Sequence, residues 1–184
     1  MSFSRGGDKM RQSKENVSPM SNEGRNLYVV EHITASLLEL MKTKHINDIS
    51  IGELCDTAGV GRASFYRNFE SKEAVIAREL KKRLDEWWLS AIVKPDFNFA
   101  EALFQHYYEE REIYLLLCEQ GLSHLNLQSI KDACGPKPEQ KNFDAYGASF
   151  IAYGLYGWID EWFNRGMQET PEKMAELWEQ RNNK

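Results

Sequence analysis

An all-α fold is predicted by three features of the chain. Apolar residues recur at helical spacing along most of its 184 residues, no run alternates with period two, and most apolar segments open or close on capping chemistry. The expected architecture is a three-helix head, a fourth connecting helix and an α-helical body, about nine helices in all. A hydrophobic content of 42% supplies an interior, and a charged content of 28% supplies a solvated surface. No apolar run approaches the roughly 18 residues of a membrane span. The first residues carry no apolar core of a secretory signal. The three cysteines, Cys55, Cys118 and Cys134, are odd in number and widely spaced. Both points lead to an expectation of a reducing cytoplasm.

Residues 1–23 are polar and lack a hydrophobic period, and are expected to form a disordered extension, with Met10 and Met20 as alternative starts. The first helix is predicted over Asn26–Lys42, with Val30, Ile33, Leu37, Leu40 and Met41 on one side. After a short connection, Ser50 and Glu53 form a capping box, and Ile51, Leu54, Cys55 and Ala58 give one buried face. Gly59 tolerates positive φ and turns the chain. A further helix follows from Arg62 to Phe69, with Phe65 and Phe69 inward. Two short helices across a glycine turn are a helix-turn-helix, here assigned with the first helix to residues 24–70.

The second helix of the pair, about 12 Å long, suits a DNA major groove of roughly the same width. Its outward residues, Arg62, Ser64, Tyr66, Arg67 and Asn68, all hydrogen-bond. Arg62 stands at the helix start, where such helices reach base edges, and Ser64, Tyr66 and Asn68 suit phosphates. With Ser50, Gly61 and Ala63, these residues form the expected DNA-binding set. The net charge of −5 does not oppose it. Divided along the chain, it is +1 over residues 1–23, zero over 24–90 and −6 over 91–184, so the acid lies away from the expected DNA face.

The segment AGVGRASFYRNFESKEAV resembles the DNA-binding region of the TetR (tetracycline-repressor-like) family of transcriptional regulators. Ala58-Gly59-Val60, Phe65-Tyr66, Phe69 and Lys72 carry the likeness, which extends from about Asn26 to Trp88. Where this chain has Gly61 the family often has Ser or Thr, and where it has Asn68 the family often has His. The resemblance implies a homodimer on an inverted repeat of double-stranded DNA, a repressor released by a small-molecule effector or a partner protein, and a Lys72 that reaches a phosphate.

Residues 71–184 are assigned to the connecting helix and a dimerisation and regulatory body. Ser71 caps a helix running to about Ala91, and Lys94–Asn98, with Pro95, separates it from the rest. Asn98 with Glu101 opens a helix through Glu110, and Glu112–Gln120 is a short apolar helix stopped by Gly121. Ser123–Ala133 precedes the breakers Gly135, Pro136 and Pro138, and Lys141–Arg165 is the longest helix. Thr170-Pro171-Glu172 starts the last one. The ending FIAYGLYGWIDEWFNRGMQETPEKMAELW is similar to the C-terminal region of a TetR subset common in low-GC Gram-positive bacteria.

Seventeen of the 22 aromatic residues lie from Trp87 onward. Phe104, Tyr107, Tyr108, Tyr114, Tyr146, Phe150 and Tyr153 are the candidates to line an effector pocket, against the alternative of a packed aromatic core. Gly147, Gly154 and Gly157 on the long helix imply close helix approach, since glycine inside a helix costs about 1 kcal/mol against alanine. With Trp158, Trp162, Leu177 and Trp178 they form the expected dimer interface. His32, His45, His106 and His124 make no metal-ligand pair, and no phosphate loop or nucleophile constellation occurs, so no enzyme, metal or cofactor is expected. The other functional class open to this sequence is a protein-interaction module whose body docks another protein.

Overall fold

The computed structural model describes residues 22–93, 95 and 97–182. Among them are nine α-helices and no strand: α1 Asn22–Met41, α2 Ile51–Ala58, α3 Arg62–Asn68, α4 Lys72–Ala91, α5 Phe99–Glu109, α6 Arg111–Glu119, α7 His124–Cys134, α8 Asn142–Asn164 and α9 Pro171–Asn182. A single 3₁₀ turn, Ile46–Asp48, joins α1 to α2. None of these helices is long and apolar enough to cross a membrane.

Helix α1 starts four residues before the predicted Asn26, inside the stretch expected to be disordered. Leu27 and Tyr28 are exposed, so the opening turns show no buried period to read, while Glu23 in the first turn suits the helix dipole. The remainder of that stretch, with Met10 and Met20, lies outside the described residues. So do Lys94 and Asp96 of the connection after α4.

The head core is built from α1, α2, α3 and the first half of α4. Ile33, Leu37, Leu54, Phe65, Val75 and Ile76 are fully buried there, with Ile46 and Ile49 closing it from the α1–α2 connection. Truncating a side chain such as Phe65 to alanine would cost about 3–5 kcal/mol by the usual cavity rule. Helix α4 then leaves the head and packs on α7 in the body, where α5 lies on α9 and α7 on α8. Glu110 both ends α5 and starts α6, which turns the chain without a loop. Gly121 (φ 69°) and Gly166 (φ 74°) end α6 and α8 in the left-handed conformation. Thr170 Oγ1 accepts the Lys173 N–H, the cap expected for α9.

Candidate DNA-binding surface

Ser50 Oγ accepts the Glu53 N–H at 3.1 Å and starts α2. The Glu53 carboxylate pairs with the Lys44 ammonium, which holds it below its ordinary pKa. Leu54, Cys55 and Ala58 are buried, and Ile51 is half-buried. Gly59 closes the helix at φ 65°, ψ 31°, with its own N–H on the Asp56 carbonyl and the Val60 N–H on that of Cys55. A side chain at that φ would be strained, so glycine fixes the angle at which α3 departs.

Gly61 occupies the N-cap of α3 and supplies no side-chain bond. Phe65 and Phe69 point inward with ring centroids 5.9 Å apart, and Tyr66 stands edge-on to Phe65 at 5.4 Å. That inner pair leaves Gly61, Arg62, Ala63, Tyr66 and Arg67 exposed, Tyr66 by 61%. Ser64 is half-buried, and its carbonyl accepts the Asn68 side-chain amide at 2.9 Å. Asn68 therefore spends one of its two donors on its own helix. The Arg62 guanidinium lies directly over Gly52 of α2, where an added Cβ would stand 3.1 Å from Cζ and nearer still to Nη2. A short α2 with glycine at its second position thus cradles the first residue of α3.

Lys72 is engaged differently from the phosphate contact that resemblance implied. Its ammonium donates to the Ile49 carbonyl at 2.6 Å and to that of Ile46. These carbonyls belong to the α1–α2 connection; that of Ile46 also accepts the Ile49 N–H and gives the ammonium its second lone pair. They also offset the unfavourable position of a cation in the first turn of α4. No local pattern encodes this tie, because the partners lie 23 and 26 residues away.

The seven aromatics expected around an effector do not share a cavity. Phe104, Tyr107 and Tyr114 are buried in the body core, whereas Tyr108, Tyr146, Phe150 and Tyr153 are exposed. Tyr107 Oη donates to Asn126 Oδ1 at 2.9 Å, and Tyr114 stacks on Phe163 while its hydroxyl meets His106 Nε2 at 3.3 Å. Burial pushes the His106 imidazole down to about 4 and the Tyr114 phenol up. The first three are thus packed as core, and the void beside Tyr114, about 10 Å³, holds no more than a water. A cavity of about 260 Å³ lies elsewhere in the body, between α4, α5, α7 and α8. Leu84, Trp87, Trp88, Phe99, Leu103 and Leu155 line it together with Asp85 and Asp132.

The expected dimer residues also divide. Trp162 belongs to the core, edge-on to Phe104 and donating to the Glu169 carbonyl, so it is withdrawn from any interface. Gly154 abuts Trp178 of α9 in the same chain, where an added Cβ would stand 3.6 Å from the indole. Gly147 and Gly157 face open space. They lie on a solvent-facing stripe of α8 that carries Phe143, Tyr146 and Phe150, the last of these 72% exposed. Trp158, Leu177 and Trp178 are half-buried, with Trp158 edge-on to Trp178.

Residues 33–78 match the family model described as bacterial regulatory proteins, tetR family. Residues 97–183 match the model of a transcriptional regulator C-terminal region. No curated protein matches the chain. The first match contains α2, α3 and their glycine turn, and the second spans α5 to α9, so the two account for head and body separately. The chain belongs to the TetR family of transcriptional regulators and is a DNA-binding regulator of transcription.

Proposed function

We propose that the protein is a repressor that binds an inverted repeat as a homodimer. The observation that carries this reading is the division of α3: Phe65 is wholly buried, while Arg62, Tyr66 and Arg67 stand in solvent, and Ser50 at the start of α2 is exposed as well. In this reading Arg62 reads base edges, and Tyr66, Arg67 and Ser50 hold the phosphate backbone. Lys72 acts through the α1–α2 connection that it ties. The dimer forms through the outer stripe of α8, whose glycines let a second helix approach Phe143, Tyr146 and Phe150. An effector enters the cavity beside Trp87, Trp88 and Phe99. Three rings flanked by two carboxylates favour a flat or cationic molecule.

The test is a footprint on the DNA flanking the protein's own gene, made with wild type and Tyr66→Ala. The wild type should protect two symmetric half-sites. Tyr66→Ala, whose side chain is mostly in solvent, should protect neither while its unfolding midpoint stays within about 0.5 kcal/mol of wild type. Equal protection by both proteins would remove α3 as the reading element.

A further inference from the structure

We infer that Gln120, at the end of α6, is a positioning residue that sets the angle of the DNA-reading head against the body and so selects the spacing of half-sites. The specificity role rests on the inverted-repeat reading above. The tie itself rests on geometry alone.

Gln120 follows the last residue of α6, and Gly121 then turns the chain away with φ 69°. Its Oε1 accepts the Ile46 N–H at 2.8 Å. Its Nε2 donates to the Met41 carbonyl at 2.9 Å and to the Lys44 carbonyl at 3.1 Å. One primary amide thus uses both donors and its acceptor on a single turn of backbone. The partners, one N–H and two carbonyls, also fix which end of the amide is oxygen. Met41 is the last residue of α1, and Ile46 starts the 3₁₀ turn.

That turn is gripped from two sides. Lys72 holds the Ile46 and Ile49 carbonyls from within the head, and Gln120 holds the same connection from the body. Ile49 is followed at once by the Ser50 cap of α2, so whatever orients the connection orients α2 and, through Gly59, α3. Packing does not fix the relation on this side. A cleft of about 680 Å³ separates α1 from α6, lined by Leu38 and Glu39 on one wall and by Ile113, Leu116 and Glu119 on the other. Helix α4 is the main joint between head and body, packing on α1 in the one and on α7 in the other. The half-buried amide adds a second restraint across the cleft, away from α4, and because water can replace its bonds, its loss should loosen the joint without unfolding the head.

The experiment uses a duplex selected from a random library by the wild-type protein, the same duplex with one or two base pairs inserted at its centre, and a single half-site. Wild type should prefer the selected spacing by about tenfold or more, because half-site separation must match the fixed heads. Gln120→Ala should reduce that preference to about threefold or less. Its affinity for the single half-site should stay at the wild-type value. Gln120→Glu keeps the acceptor for Ile46 but sets a carboxylate against two carbonyls, and should behave as Gln120→Ala does. Hydrogen exchange at the Ile46 amide should accelerate in both variants. A spacing preference retained within twofold, an equal loss on the half-site, or unchanged exchange at Ile46 would each overturn the assignment. A wild-type protein indifferent to spacing, with exchange still accelerated in the variants, would instead refute the inverted-repeat reading and uphold the tie.

Discussion

Replacing Gly52 with alanine should separate folding from DNA recognition. The new Cβ would lie 3.1 Å from Arg62 Cζ and 3.4 Å from Nε, with Nη2 closer than either. Since carbon contacts settle at about 3.5–4.0 Å, the guanidinium has to retreat by about 1 Å. The neighbour that yields is the far end of a flexible side chain, so the strain is small. Alanine also gains up to about 1 kcal/mol over glycine inside a helix, less in its first turn. The unfolding midpoint should therefore hold or rise slightly. Binding should suffer, because a bidentate arginine–base contact worth about 1–3 kcal/mol depends on placement finer than this displacement. Working with the lower figure, the affinity falls about fivefold, and the loss concentrates at one base position. Fluorescence anisotropy on a selected duplex and its single-base variants measures both effects. The decisive control is a double-mutant cycle with Arg62→Ala, in which Gly52→Ala should have no further effect. If Gly52→Ala weakens binding equally in the Arg62→Ala background, the cradle is not how α2 acts and the reasoning fails.

Lys72→Met keeps the aliphatic stem but abandons the Ile46 and Ile49 carbonyls, so it should cost about 1–2 kcal/mol in urea unfolding. The salt slope of DNA binding should stay unchanged, where loss of a phosphate contact would flatten it by about one unit. Phe150→Glu places a charge on the outer stripe of α8 and should convert a sedimenting dimer to a monomer with the same far-ultraviolet circular dichroism; a persistent dimer would exclude that face. His106 is neutral when folded, its pKa lowered by burial to about 4, below the ordinary value of 6.5. The unfolded chain then binds the extra proton between those values, so this stability is present above about pH 6.5 and is lost as pH falls toward 4, by at most about 3 kcal/mol. His106→Gln should lose less stability than wild type between about pH 7 and 4.5 in paired urea titrations, and equal losses would contradict the assignment.

The helix-turn-helix was legible because its signals are local. Ser50, Gly59 and the Phe65–Phe69 pair each act within a few residues, and the structure realises each as a cap, a left-handed turn and a buried ring pair. The body helices were legible for the same reason, through Asn98, Gly121, Gly166 and Thr170. Residues whose roles depend on distant partners were not. Lys72 and Gln120 bond backbone atoms 23 to 79 residues away, and a lone Lys or Gln at a helix end gives no sign of that. Which aromatics are core and which are surface was not legible for a different reason. Helix α8 is apolar on both sides, with Leu155, Ile159 and Trp162 inward and Phe143, Tyr146 and Phe150 outward, so helical spacing alone cannot sort core from surface.

Selection of wild-type protein against a fully randomised duplex library, repeated with Arg62→Ala, tests the reading of α3 most directly. Wild type should enrich two inverted half-sites whose centres lie one helical turn, roughly 34–36 Å, or a multiple of it apart. Arg62→Ala should enrich the same frame with one base position in each half-site relaxed. A library that stays random after selection by the wild type, or an Arg62→Ala motif identical at every position, would contradict that reading.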